Sequence, residues 1–114
     1  MLKGRSFLQL KVLNLGSNNI ISLESLPHAN IPQLEALFLW NNKIISIAPL
    51  RKLQAYNLAV LDLSSNEITQ VESIIALNCK KLELLNLENN LLGDINPLIR
   101  MHSDRKNLKI SIGN

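Results

Sequence analysis

Apolar positions follow one rhythm four times along this chain. The stretches LKVLNLGSNNI from Leu10, LEALFLWNNKI from Leu34, LAVLDLSSNEI from Leu58 and LELLNLENNLL from Leu82 carry leucine at the first, fourth and sixth places. Asparagine stands ninth and isoleucine or leucine eleventh in each. The leading leucines, Leu10, Leu34, Leu58 and Leu82, are 24 positions apart, as are Asn18, Asn42, Asn66 and Asn90. Self-similarity at a fixed spacing of a few tens of residues marks a chain of stacked units, none of which buries its own apolar side alone.

Within each unit the alternation Leu-x-Leu predicts a short strand. Leu13 and Leu15, with their counterparts Leu37/Leu39, Leu61/Leu63 and Leu85/Leu87, turn to one side. The residues between them turn to the other and face solvent. Beyond the asparagine the spacing widens to three: Ile20-x-x-Leu23-x-x-Leu26, Ile44-x-x-Ile47-x-x-Leu50, Ile68-x-x-Val71-x-x-Ile74 and Leu92-x-x-Ile95-x-x-Leu98. That spacing predicts return segments built of short helices or 3₁₀ turns. Pro49 and Pro97 suit a first helical turn, where no amide proton is needed, and Asn96 is expected to cap the segment starting at Pro97. Near the end, NLKISIGN alternates Leu108, Ile110 and Ile112 with Lys109 and Ser111, which predicts a closing strand over 108–112.

The asparagines read as structural. A buried turn leaves backbone polar groups without water, and a carboxamide both donates and accepts, so stacked units would form an asparagine ladder. Phe7, Ile31, Ala55 and Cys79 share one position in the unit, which makes the lone cysteine a small buried hydrophobe.

The pattern LxxLxLxxNx(I/L) over residues 7–98 resembles the leucine-rich repeat superfamily, and the spacing after each asparagine resembles its intracellular SDS22-like class, whose repeats are usually two residues shorter. The resemblance implies an α/β fold: a right-handed leucine-rich repeat solenoid with a parallel concave β-sheet and short helices or 3₁₀ turns on the convex side. The chain's length predicts a single domain over 1–114. The resemblance further implies a protein-protein interaction module, a scaffold or regulatory subunit binding a protein partner on the concave face.

Composition adds limits. The chain is 46% hydrophobic, mostly Leu and Ile, with four aromatic residues. Lys3, Arg5 and Lys11 interrupt the apolar residues of MLKGRSFLQLKVL, so neither a signal peptide nor a membrane run of about 20 residues is expected in that stretch. With one cysteine and no Asn-x-Ser/Thr acceptor, a cytoplasmic location is expected, the nucleus being the alternative. A net charge of +3 is too small to imply nucleic acid. Arg100, Arg105, Lys106 and Lys109 nevertheless crowd the last 15 residues, and a segment that contacts phosphate or an acidic partner is the second reading, that of a subunit in a ribonucleoprotein or mRNA-processing assembly.

On the predicted concave face Val12, Ala36, Phe38, Trp40, Val60 and Leu84 form one apolar patch, rimmed by Asp62, Glu88, Glu35 and Glu83. Exposed apolar patches with polar rims are characteristic of binding surfaces, and Trp is enriched among interface hot spots. The plainer reading of Trp40 is an indole lying flat over Gly16 on the next strand. Ile21 and Ile45 mark a second, smaller candidate surface. Exposed repeat ends would favour self-association or a larger array. No enzyme, cofactor or metal site is expected: His28 and His102 are 74 positions apart, and neither a phosphate-binding glycine loop nor metal-ligand spacing occurs.

Overall fold

The computed structural model describes residues 6–77 and 79–113; Met1–Arg5, and with them the charges of Lys3 and Arg5, lie outside it, as do Asn78 and Asn114. Five short strands, β1 (Val12–Asn14), β2 (Ala36–Phe38), β3 (Val60–Asp62), β4 (Leu84–Asn86) and β5 (Lys109–Ser111), form one parallel sheet in chain order. Parallel neighbours require a crossover, and each is supplied by one return segment. These are 3₁₀ helices at Leu26–His28 and Ala48–Lys52, then α1 (Glu72–Ile75) and α2 (Asn96–Asp104). The result is a solenoid with strands on one wall and short helices on the other.

Register follows the repeat. Val12 pairs with Ala36, Ala36 with Val60 and Val60 with Leu84. Leu84 then pairs with Lys109, 25 positions on, because the longer α2 takes up one more residue. The leucines Leu37, Leu39, Leu61, Leu63, Leu85 and Leu87 are sealed inside, closed from the helical wall by Ile44, Ile47, Leu50, Ile68, Val71 and Ile74. In the first unit Leu10, Leu13, Leu15 and Ile20 are only half-buried, since among the described residues one side of that unit has no neighbour.

Asparagine stitches the units together. The Asn42 Nδ2 donates to the carbonyls of Leu15, Leu39 and Trp40, each at 3.1 Å. Its Oδ1 accepts the amides of Asn18 and Ile20, both at 2.9 Å. Asn66 repeats the arrangement with Leu39, Leu63 and Ser64 as acceptors and Ile44 as donor, and Asn90 does so with Leu63, Leu87, Glu88 and Ile68. Asn18, exposed at the first unit, holds through Nδ2 the Gly16 carbonyl alone among the described residues. To swing each ladder side chain inward, the residue before it takes the left-handed conformation: φ is 57° at Ser17, 53° at Asn41, 56° at Ser65 and 58° at Asn89. Asparagine tolerates this region better than most residues.

A second polar series starts the return segments. Side-chain oxygens of Ser22, Ser46 and Asp94 accept the amides two residues on, those of Glu24 (3.2 Å), Ala48 (3.2 Å) and Asn96 (2.9 Å). This corrects the expected cap of α2. The helix already includes Asn96, Ile95 occupies the cap position without a side-chain bond, and Asp94 satisfies the Asn96 amide.

The ladder should therefore be steeply graded in its contribution to stability. Asn66→Ala leaves the Ile44 amide without its acceptor and takes one of two donors from each of the Leu39, Leu63 and Ser64 carbonyls, and is expected to cost about 1–3 kcal/mol, whereas Asn18→Ala should cost less than about 1 kcal/mol. Equilibrium urea unfolding of both variants measures the difference.

Candidate functional site

The outward side chains of the sheet stand in rows set by the strand register. Across its middle, one row runs in register through Val12, Ala36, Val60 and Leu84. Val12 is 53% exposed and Leu84 37%, with Ala36 and Val60 half-buried between them. Neighbouring strands lie about 4.8 Å apart, so the row is continuous apolar surface.

A second row holds Asn14, Phe38, Asp62 and Asn86. Here Asn14, Asp62 and Asn86 each bend an oxygen back to the amide two residues on, at Gly16 (2.9 Å), Ser64 (3.0 Å) and Glu88 (3.0 Å). Asp62 also accepts the Ser64 hydroxyl at 2.6 Å. Phe38 carries no such oxygen. Apolar surface thus replaces the turn-closing bond in the second unit only.

Trp40 shows why. A β-carbon added to Gly16 would overlap the Cε2, Cζ2 and Cδ2 atoms of the indole, so the ring lies directly on the Gly16 backbone. Trp40 and Phe38 remain half-buried on the outward face rather than sealed in the coil. Of the two sequence readings of Trp40, the contact with Gly16 belongs to the plainer one, and the ring's outer side stays on the concave surface. Glu88 stands at the equivalent place just beyond β4, half-buried, while Glu35 and Glu83 are exposed where the chain turns into β2 and β4.

The basic residues near the end do not gather on one face. Arg100 and Lys106 are exposed on and just after α2. Lys109 is the sheet neighbour of Leu84. Arg105 is half-buried, its Nη1 donating to the Cys79 carbonyl at 2.9 Å, so it holds the return segment to the preceding unit. His102 acts similarly, its Nδ1 lying 3.1 Å from the Leu108 carbonyl oxygen.

Cys79 is fully buried, and its thiol donates to the Ala55 carbonyl at 3.3 Å, from the position its place in the repeat assigned. Burial pushes the thiol above its ordinary value, with the Arg105 guanidinium pulling weakly the other way. Among the described residues no group of three or more His, Cys, Asp and Glu side chains could hold a metal ion, and no helix is long and apolar enough to cross a membrane.

Outside the sheet, Ile21 and Ile45 are 64% and 53% exposed and flank a groove of about 580 Å³ between the two 3₁₀ helices, which Pro27, Pro49, Arg51 and Lys52 also line. Sequence reasoning passed over Leu91, which is 64% exposed where Lys43 and Glu67 occupy the equivalent place. An apolar residue among polar equivalents was the signal for it.

A family model described as leucine-rich repeats in two copies matches residues 8–52 and 56–100. Among solved structures the fold is similar to internalin C2 from Listeria monocytogenes, with a TM-score of 0.65 at 21% identity, over 91% of this chain and 52% of that one. A leucine-rich repeat protein of Leptospira interrogans aligns with a TM-score of 0.49 at 20% identity, over 90% of this chain and 37% of that one. The chain therefore spans about half the length of the first and less of the second. No curated protein matches the sequence.

Two outcomes follow from these contacts. Gly16→Ala should force the indole off its seat and destabilise by about 1–3 kcal/mol, and this cost should largely vanish in a Trp40→Ala background, because the two residues share one contact. A double-mutant cycle by thermal unfolding reads this directly. Cys79 should resist thiol reagents until the chain unfolds. Its folded value lies above the unfolded one, so the neutral thiol favours the native state below the ordinary thiol range, and that contribution is lost as pH rises through the folded value. Melting temperature should then fall on the alkaline side, and Cys79→Ala should flatten that slope.

Proposed function

The chain belongs to the leucine-rich repeat family, and on that premise we propose that it is a protein-protein interaction module, a scaffold or regulatory subunit that docks a protein partner on its concave face. Leucine-rich repeat domains generally mediate such contacts, and they are typically non-enzymatic. The observation that carries the reading is the in-register row Val12, Ala36, Val60 and Leu84, apolar, partly exposed and with nothing packed on it among the described residues. Phe38 and Trp40 widen the row, and Asp62 and Glu88 give it a polar margin.

The mechanism is steric presentation. Strands in a stacked sheet cannot shift singly without breaking the asparagine ladder, so the row is held in place before a partner arrives, and the entropy lost on binding is correspondingly small. Within the family we place the chain in the intracellular SDS22-like class with 24-residue repeats, which the strand pairing and short return helices support. A cytoplasmic or nuclear site of action accords with that class. The ribonucleoprotein alternative would draw on Arg100, Lys106 and Lys109, with Arg105 already committed to the Cys79 carbonyl. The apolar row favours the protein-docking reading over it.

Val60→Glu and Leu84→Glu place charge on the row while leaving the inward leucines alone. Both variants should melt within a few degrees of the parent, since outward-facing substitutions usually change stability by little. Partners retained by the parent in affinity capture should be lost by the pair of substitutions. Partners retained equally by both proteins would remove the row from the binding surface.

A further inference from the structure

Carboxylates border the apolar row of this solenoid on both sides. Although the net charge is +3, the sheet side carries Glu35, Asp62, Glu83 and Glu88, arranged on both sides of the apolar row. Glu35 and Glu83 stand where the chain turns into β2 and β4, Asp62 lies in β3, and Glu88 lies just beyond β4. Of the cations on the sheet side, Lys11 and Lys109 sit at its two ends and Lys81 lies at its leading margin. Arg51, Lys52, Arg100 and Lys106 belong to the return segments or follow them, and Glu24, Glu67, Glu72, Asp94 and Asp104 lie in or beside the same segments. With the cations at its ends and leading margin, the middle of the sheet thus presents an apolar centre bordered by carboxylates.

The leading margin of that surface also has shape. Glu35, Asn57, Ala59, Lys81 and Glu83 line a hollow of about 500 Å³. Ala59 forms its low point, with Glu35 one strand away and Glu83 one strand away on the other side. The two carboxylates are therefore carried on strands about 10 Å apart, with a small residue between them. Lys81 shares the hollow and is drawn aside, its Nζ donating to Asn57 Oδ1 at 2.9 Å. Beside the hollow lie Val60 and Leu84 on the apolar row.

We propose that the partner of this face is a protein segment that alternates aliphatic side chains with lysine or arginine, the aliphatic ones lying on Val60 and Leu84 and the cationic ones above Ala59 between Glu35 and Glu83 and toward Asp62 and Glu88. The proposal rests on the concave-docking reading and adds the chemistry of the occupant. Its warrant is complementarity: apolar contact supplies affinity along the row, while carboxylates on both margins attract a cationic segment and repel an acidic one of the same hydrophobicity. Because the margins are exposed, the electrostatic part should be screened by salt, whereas the apolar part should persist.

The test uses two synthetic peptides of equal length, one alternating leucine with lysine and the other leucine with glutamate, added to the full chain with its Val and Leu methyl groups labelled for NMR. The lysine peptide is expected to shift the Val60 and Leu84 methyl signals, and its affinity to fall at least about tenfold in E35Q/E83Q, whose exposed side chains leave the core untouched. In E35K/E83K the preference should pass to the glutamate peptide. Equal binding of both peptides at Val60 and Leu84, or lysine-peptide affinity unchanged in E35Q/E83Q, would overturn the cationic chemistry and leave concave docking standing. Failure of both peptides to shift these methyls would also overturn it; docking itself falls only if the Val60→Glu, Leu84→Glu pair keeps the partners of the parent.

Discussion

A carboxamide spanning two turns of the coil is the interaction on which this molecule depends. Each interior asparagine donates to carbonyls of its own unit and of the unit before it, and accepts amides from that earlier unit. A turn tight enough to bring the chain from the sheet to the helical wall leaves those backbone groups away from water. Unpaired, each would cost a substantial fraction of a small protein's stability. The ladder removes that cost and in the same step fixes the distance and register between units, so the leucines stack into one continuous core.

From that constraint follows the character of the outer surface. With inward positions committed to leucine and the turn committed to asparagine, the free choices lie in the rows facing outward from the sheet. Three units close the strand end with a side-chain oxygen from Asn14, Asp62 or Asn86; the second unit uses Phe38 and Trp40 instead. The indole is seated on Gly16, the only residue type whose backbone it can approach so closely. Trp40 thus joins two units on one side of its ring and enlarges the concave surface on the other.

The ends of the stack obey the same logic. Where a unit has neighbours on both sides, Leu34, Leu37, Leu39 and Ile44 are fully buried; the first unit's equivalents are not. At the other end α2 and β5 lie over the fourth unit, secured by Arg105 on the Cys79 carbonyl and by His102 beside Leu108. Arg105, one of the basic residues expected to contact phosphate or an acidic partner, is thereby engaged in holding the last turn.

Spacing alone determined the parallel sheet, the inward leucines, the asparagine ladder, the burial of Cys79 and the outward placement of Phe38 and Trp40, because a repeat imposes one environment on every equivalent position. It could not assign the seat of the indole, since contact between Trp40 and Gly16 depends on how closely adjacent strands bring backbone and ring. Nor could it place Arg105 against a carbonyl 26 positions away, or shift the start of α2 from Pro97 to Asn96, where Asp94 meets the amide. Periodicity encodes which way a side chain faces; packing decides what it meets there.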